Sequence, residues 1–304
     1  MTTMTDDQAG GYRSGYVAVM GRPNVGKSTL INALIGQKIA AVSHRSQTTR
    51  RRQLGILTSE DTQIIFIDTP GIHMPRHKLG EKMNLHALES LADSDVVLFL
   101  VDASVEPQEE DRLLVRHLHA LQASHPIILA LNKKDLVDDD VFNQRLHAYA
   151  SLIPEAHPIA ISATKGTNLS ELIGWIRAAL PEGLPLFAEE QVTDLYEREI
   201  TADLIREACL NELRAEIPHG IEVRVDQFIE RAEQGAYIEA TIFVERESHK
   251  GIVIGLGGRM IKQIGERARR EIERMSERKV YLRLRVKVRK NWRDDEKILR
   301  WFGY

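Results

Sequence analysis

Disulfide chemistry is closed to this chain, because its 304 residues include one cysteine, Cys209. A lone thiol inside an apolar-periodic stretch reads as a core residue of a protein kept in a reducing compartment. Long apolar runs are missing as well. The most apolar stretch, Val96 to Val101, falls far short of the roughly 20 residues needed to cross a bilayer, so no membrane-spanning segment is expected. The first residues are polar, carry Asp6 and Asp7 and lack the apolar run of a secretory signal; residues 1–15 read as a loose tail. Net charge is also small, −3, but it is unevenly placed. Residues 245–304 hold 18 Lys+Arg against 9 Asp+Glu, a balance of +9, so the rest of the chain carries −12. An acidic body with a basic end suggests that the end meets a polyanion, and a solvated helical face would explain the same charge count.

At 43% hydrophobic content the chain can bury full cores and is long enough for two domains. Residues 16–180 alternate β-rich runs (Tyr16 to Met20, Arg52 to Leu57, Gln63 to Asp68, Val96 to Asp102, Ile127 to Asn132, Pro158 to Ser162) with helical patterns. That order gives a mostly parallel sheet covered by helices. Two prolines and a glycine at Pro181, Gly183 and Pro185 end the pattern, and 181–195 reads as a linker. From 196 to 304 the order becomes helix, strand, strand, short helix, glycine loop, helix, strand. Ile261, Ile264, Ala268, Ile272 and Met275 share one face of the long helix, and Val280 to Val288 alternates as a strand.

The strongest motif is Gly21, Arg22, Pro23, Asn24, Val25, Gly26, Lys27 and Ser28, which fits G-x-x-x-x-G-K-[ST] after a strand and before a helix. Such a loop wraps backbone N–H groups around phosphate oxygens. Lys27 should reach the β- and γ-phosphates, and Ser28 should place its hydroxyl on Mg²⁺. The base is chosen elsewhere. Asn132, Lys133, Lys134 and Asp135 end an apolar strand at the carboxyl edge of the sheet, where ligands sit. The Asp135 carboxylate can accept from guanine N1–H and the exocyclic amine, and if buried it would reject adenine by up to about 10⁴-fold. Lys133 can lay its methylene stem along the base, and Ser162, Ala163 and Thr164 can offer backbone N–H groups to the guanine oxygen. Asp68, Thr69, Pro70 and Gly71 close another strand, with Asp68 able to hold Mg²⁺ through water and the Gly71 amide able to touch the γ-phosphate. A second switch is expected over Ser43 to Arg52, where Thr48 and Thr49 both offer a hydroxyl to Mg²⁺ and Thr49 is preferred.

These segments, with Thr29 after the loop and Gln47 to Arg50 in the switch, resemble the translation-factor-related GTPases and, within them, the Era family, over almost the whole chain. The resemblance implies a slow GTPase with a regulatory cycle, GTP or GDP and Mg²⁺ as ligands, and Thr49 as the Mg²⁺ ligand. Ile72 stands directly after Gly71, where many small GTPases have a glutamine that orients water. In some relatives an asparagine matching Asn24 helps bind K⁺, so K⁺-assisted hydrolysis is an expectation; a loop-stabilising role for Asn24 is the alternative. Lys27, Asn24, Thr49 and Gly71 are the residues expected to act in hydrolysis.

Gly255, Leu256, Gly257 and Gly258, after Ile254 and before Arg259, resemble the G-x-x-G loop of a type II KH domain. Glycines there let a sugar-phosphate chain approach the backbone while apolar groups receive unstacked bases. Lys250, Arg259 and Lys262 flank the loop, and Arg283 and Arg285 alternate with apolar residues on the last strand. About half of these charges would be a solvated face under the plainer reading. The fold class expected is thus an α/β P-loop GTPase domain followed by an α+β KH domain. By resemblance the RNA is the 3′ end of 16S ribosomal RNA, and the role is assembly of the small subunit, coupled to growth. The resemblance further implies a cytoplasmic monomer with peripheral contact to the inner membrane face, for which the sequence shows no anchor. A GTPase whose C-terminal domain binds protein or membrane, and an RNA chaperone with negligible hydrolysis, remain the rival classes.

Overall fold

The structure is a computed structural model that describes residues 11–43, 48–72, 74–120, 125–231 and 235–304. The expectation for Gln47 and for residues 44–47 of the Ser43 to Arg52 switch falls outside these residues. Among the described residues the chain divides into two compact units. The first holds the chain up to Gln37 with Thr49–Met74 and Met83–Asp194; the second holds Lys38–Thr48, Pro75–Lys82 and Leu195–Tyr304.

The first unit is built on a six-stranded sheet of β1 (Arg13–Met20), β2 (Gln53–Thr58), β3 (Thr62–Asp68), β4 (Val96–Asp102), β5 (Ile127–Asn132) and β6 (His157–Ala160). The order is β2-β3-β1-β4-β5-β6, with β2 antiparallel to β3 and the other pairs parallel. Every residue of β3, β4 and β5 is buried, as near-continuous Val/Ile/Leu runs covered on both faces demand. Helices α1 (Lys27–Ile35), α2 (Lys78–Ala92), α3 (Glu109–Ala120), α4 (Asp139–Ala150) and α5 (Leu169–Ala179) follow the strands in alternation. Parallel strands place their carboxyl ends along one edge, so the loops after β1, β3, β4, β5 and β6 converge there.

Two boundaries differ from the sequence reading. The tail was expected to reach residue 15, yet β1 starts at Arg13, paired with Thr62 of β3. The Ser14 hydroxyl donates to the Leu184 carbonyl at 2.7 Å, and a polar residue is held in the sheet by that bond. The stretch 181–194 is also no free linker. Ile56 N–H bonds the Val192 carbonyl, Leu54 N–H bonds Asp194, and the Gln63 side chain bonds both Leu186 and Phe187. It runs along the outer edge strand and satisfies polar groups that an edge would leave open.

The second unit has α6 (Glu197–Glu212), β7 (Glu222–Arg231), β8 (Gly235–Val244), α7 (Glu247–Ile254), α8 (Arg259–Ser276), β9 (Val280–Val288) and α9 (Glu296–Phe302). Its sheet runs β7-β8-β9, with β7 antiparallel and β9 parallel to β8. Ile238, Ala240 and Ile242 pack with Ile264, Ala268 and Ile272 of α8 and with Leu204, Ala208 and Cys209 of α6. Cys209 is fully buried, and that burial pushes its thiol up to about 12; it is an inert packing residue. The final helix α9 was not anticipated. Trp292, Phe302, Trp301 and Phe243 form edge-on and tilted contacts that hold it in place, and no local periodicity announces packing of that kind. Among the described residues no helix is long and apolar enough to cross a membrane.

Candidate functional site

The nucleotide-type site assembles at the carboxyl edge of the first sheet. Gly26 sits at φ 105°, and a Cβ there would meet Asn132 Nδ2 at 2.4 Å, so only glycine lets the loop close on Asn132 at the end of β5. Asn132 is buried and bridges two loops: its Nδ2 donates to the Val25 carbonyl at 2.8 Å, and its Oδ1 accepts from Ala163 N–H at 3.0 Å. That amide fixes the spacing between the phosphate loop and the Ser162 segment. Lys27 is buried, and its ammonium donates to the Gly21 and Arg22 carbonyls at 2.9 and 3.2 Å. Burial, offset in part by Asp68, pushes it down to about 8.

Three oxygens meet beside it. Ser28 Oγ lies 2.9 Å from Thr49 Oγ1, and each hydroxyl lies 2.9 Å from Asp68 Oδ2. Two hydroxyls and a carboxylate form the hard-oxygen set that suits Mg²⁺, which accepts few protein oxygens and keeps its waters. Thr49, the preferred residue of its pair, is in this cluster, whereas the Thr48 carbonyl accepts from Arg206 in the second unit's own packing. Thr69 is buried with its hydroxyl on the Val19 carbonyl at 2.8 Å. Gly71 passes against the backbone of Pro23, where a Cβ would approach the Pro23 nitrogen to 2.7 Å. Ile72 is buried in the core beneath α2 and α3, so its side chain points away from the mouth.

Asp135 is exposed on the short turn Lys134–Leu136, which lies outside the sheet's edge, beyond the core. Ser162 Oγ donates to Asp135 Oδ1 at 2.5 Å, with Thr164 Oγ1 3.3 Å from the same hydroxyl, so the carboxylate is oriented though exposed. Lys133 is left-handed, φ 65°, and its ammonium donates to Asp102 Oδ2 at 2.6 Å and to the Asn24 carbonyl at 2.9 Å. Lys134 turns away to Asp139 at 2.7 Å.

Two acids behind the loop were missed in the sequence. Asp102 ends β4 and is buried; burial raises its carboxyl, but Lys133 and Ser104 outweigh that and hold it below the usual range. Asp111, in the first turn of α3, is fully buried with the Arg22 guanidinium 3.4 Å away and Gln108 N–H at 2.9 Å; burial pushes its carboxyl up. Asp102 could have been found as the polar residue closing an apolar strand at the ligand edge. Asp111 carries no such signal in its helical pattern. Among the histidines, His77 Nδ1 lies 3.0 Å from Asp294, and no metal-binding cluster of His, Cys, Asp and Glu occurs among the described residues.

In the second unit α7 ends at Ile254, and Gly255, Gly257 and Gly258 take φ of 72°, 59° and 78° before α8 begins at Arg259. At Gly255 a Cβ would press on the Met260 backbone at 2.8 Å, so the turn requires the glycine. Leu256 stands at the tip, 82% exposed. Lys250, half-buried on α7, and Lys262, exposed on α8, flank it. A cleft of about 480 Å³ runs from Ile261 and Lys262 of α8 to Leu282 of β9. Arg283 and Arg285 alternate with the packed Leu282, Leu284 and Val286. They therefore face outward, away from the helices.

Comparison with known proteins agrees with this geometry. A family described as 50S ribosome-binding GTPases matches residues 16–133, and the KH domain family matches residues 216–293. A crystal structure of Era in complex with MgGDPNP and nucleotides 1506–1542 of 16S ribosomal RNA is 39% identical, with a TM-score of 0.91, over 96% of this chain and 99% of that one. A variant of Era from Aquifex aeolicus bound to GDP and AlF4⁻ is likewise 39% identical, with a TM-score of 0.90 over the same shares. With a phosphate loop, an oxygen cluster and a glycine turn all in place along a full-length match, the chain belongs to the Era family of GTPases, a GTPase domain followed by a KH domain.

Proposed function

We propose that the protein is a GTP-binding and GTP-hydrolysing switch that holds the 3′ end of 16S ribosomal RNA and assists assembly and maturation of the small ribosomal subunit in the cytoplasm. The observation that carries this reading is the triangle of Ser28, Thr49 and Asp68 oxygens at 2.9 Å beside the buried Lys27. It is the arrangement a triphosphate with Mg²⁺ requires. RNA binding is supported by the exposed Leu256 loop and by likeness to Era in complex with nucleotides 1506–1542.

The roles follow from the donors. Backbone N–H groups of the loop from Gly21 to Thr29, Pro23 excepted, and of the start of α1 would face phosphate oxygens. Lys27 pairs with the β- and γ-phosphates, and Ser28, Thr49 and Asp68 hold Mg²⁺, which when bound neutralises phosphate charge. The Gly71 N–H, after Asp68, Thr69 and Pro70, meets the γ-phosphate, so loss of that group releases the segment behind it. Asp135, held by Ser162, accepts from guanine, while Lys133, Ala163 and Thr164 frame the base. The hydrocarbon side chain of Ile72 offers no group to orient water, and it is buried; a cation beside the phosphates would stabilise the transition-state charge. Asn24 would hold K⁺ for that purpose. Turnover in KCl should then exceed turnover in NaCl at equal ionic strength by on the order of ten-fold; equal rates would leave Asn24 as a loop residue only.

Lys27 also ties binding to pH. Unfolding restores an ordinary lysine, so between about 8 and the usual lysine value the unfolded chain holds more protons and stability rises with pH. Phosphates beside the ammonium raise its pKa again. Nucleotide binding near pH 8.5 should therefore take up protons, roughly three-quarters of one per site if the ordinary lysine value is restored. Calorimetry in two buffers of different ionisation enthalpy reads the uptake directly, and none at all would contradict the assignment.

On the RNA side, Lys250, Ile254, Gly255, Leu256, Gly257, Gly258, Arg259 and Lys262 would clamp about four nucleotides. Affinity for nucleotides 1506–1542 should fall with salt at a log–log slope of about −0.7 per phosphate contact. A flat salt dependence would contradict the RNA reading and favour a protein-binding domain.

A further inference from the structure

The outward face of the second sheet carries a row that the glycine loop leaves unused and that the cleft reaches only at Tyr281 and Arg283. Because Ile238, Ala240 and Ile242 point to the helices, their neighbours Tyr237, Glu239 and Thr241 point the other way. The register places Ile229 opposite Tyr237 and Tyr237 opposite Tyr281. The two tyrosine rings stack at 5.4 Å with an interplanar angle of 8°. Tyr281 is 65% exposed and Ile229 46%. Along β9 the same face continues with Arg283, Arg285, Lys287 and then Arg289. Glu239 takes up part of this charge, with Arg283 at 3.1 Å and Arg285 at 2.9 Å, and the Tyr237 hydroxyl, the larger influence, with both arginines holds its carboxyl below the usual range. Asp226 accepts from Arg224 at 2.8 Å and from Thr241 at 2.5 Å. At the far end Trp301 covers the face, with the Arg224 guanidinium 4.1 Å and the Arg289 guanidinium 5.6 Å from its ring centre.

We propose that this face is a second RNA-binding surface, which takes the strand that leaves the glycine loop and stacks a base on Tyr281 while Arg283, Arg285 and Lys287 meet successive phosphates. Alternate residues of a strand lie about 7 Å apart, close to the spacing of phosphates in an extended single strand. The path is continuous: the cleft that starts at Ile261 and Lys262 ends at Tyr281 and Arg283, on the edge strand where the two faces meet. Charge and an open aromatic face together favour RNA over an apolar protein partner. The inference rests on the RNA-binding reading and extends the footprint beyond the loop.

Two probes on the full GTP-loaded chain test it: nucleotides 1506–1542 of 16S ribosomal RNA, and an RNA of about six nucleotides from its 3′ end, enough for the roughly four that a KH loop clamps. In the double variant Arg285→Gln with Lys287→Gln, the salt slope for the long RNA should fall by about 1.4, at about 0.7 per lost phosphate contact, while the short RNA keeps its affinity. Tyr281→Ala should weaken the long RNA about five-fold or more through lost stacking. An unchanged slope for the long RNA, or equal losses with both probes, overturns the proposal. Failure of the unaltered chain to bind even the short RNA would instead be failure of the RNA-binding reading, so the two are told apart.

Discussion

Asparagine in place of Asp135 should move the preference of the site from guanosine to xanthosine nucleotides, by about 10³-fold or more in the ratio of affinities. The carboxylate accepts two hydrogen bonds, which guanine supplies from N1–H and its amine. Xanthine has a carbonyl in place of that amine. An asparagine amide accepts from N1–H and donates to the carbonyl, so the pairing is restored for xanthine and broken for guanine. The swap is expected to be clean because Ser162 Oγ holds the Oδ1 position at 2.5 Å, and an asparagine Oδ1 accepts that bond equally well. Competition of GDP and XDP against a fluorescent nucleotide on both proteins measures the ratio. A variant that keeps its preference for GDP would show that Asp135 does not read the base.

Alanine at Lys27 should lower turnover by about 10² to 10³-fold, the usual cost of removing one preorganised charge from a developing phosphate charge. Affinity should fall too, by about 1.5–3 kcal/mol for charge-assisted bonds. Fold stability, by contrast, should hold or improve. The buried ammonium, on the Gly21 and Arg22 carbonyls, is a group whose burial disfavours its charge, and removing it leaves two carbonyls to be rebonded by water. Single-turnover hydrolysis and thermal unfolding of the same preparation separate the two effects. Unchanged turnover would contradict the role given to Lys27.

The parts of this molecule that were legible in its sequence are those where chemistry dictates residue type and spacing. Lys27, Ser28, Asp68 and Asn132 can be read because a phosphate loop and a parallel sheet admit few arrangements. β9 spans Val280–Val288, where strict alternation left no other period. What escaped depends on contacts distant in sequence. Asp102 and Asp111 gain their place from Lys133 and Arg22. Arg13 and Ser14 enter β1 through pairing with Thr62 and Gln63. The outward aim of Arg283 and Arg285 follows from which face of β8 the helices cover, a choice that β9 alone does not reveal. The orientation of Asp135 by the Ser162 hydroxyl likewise joins residues far apart in sequence, which local spacing does not reveal.

The most direct measurement is an equilibrium competition of GDP against ADP on the purified full chain with Mg²⁺. Tighter binding of GDP by about 10³-fold or more is the expected result. Comparable affinities for the two nucleotides would contradict the assignment of a guanine-selecting phosphate site.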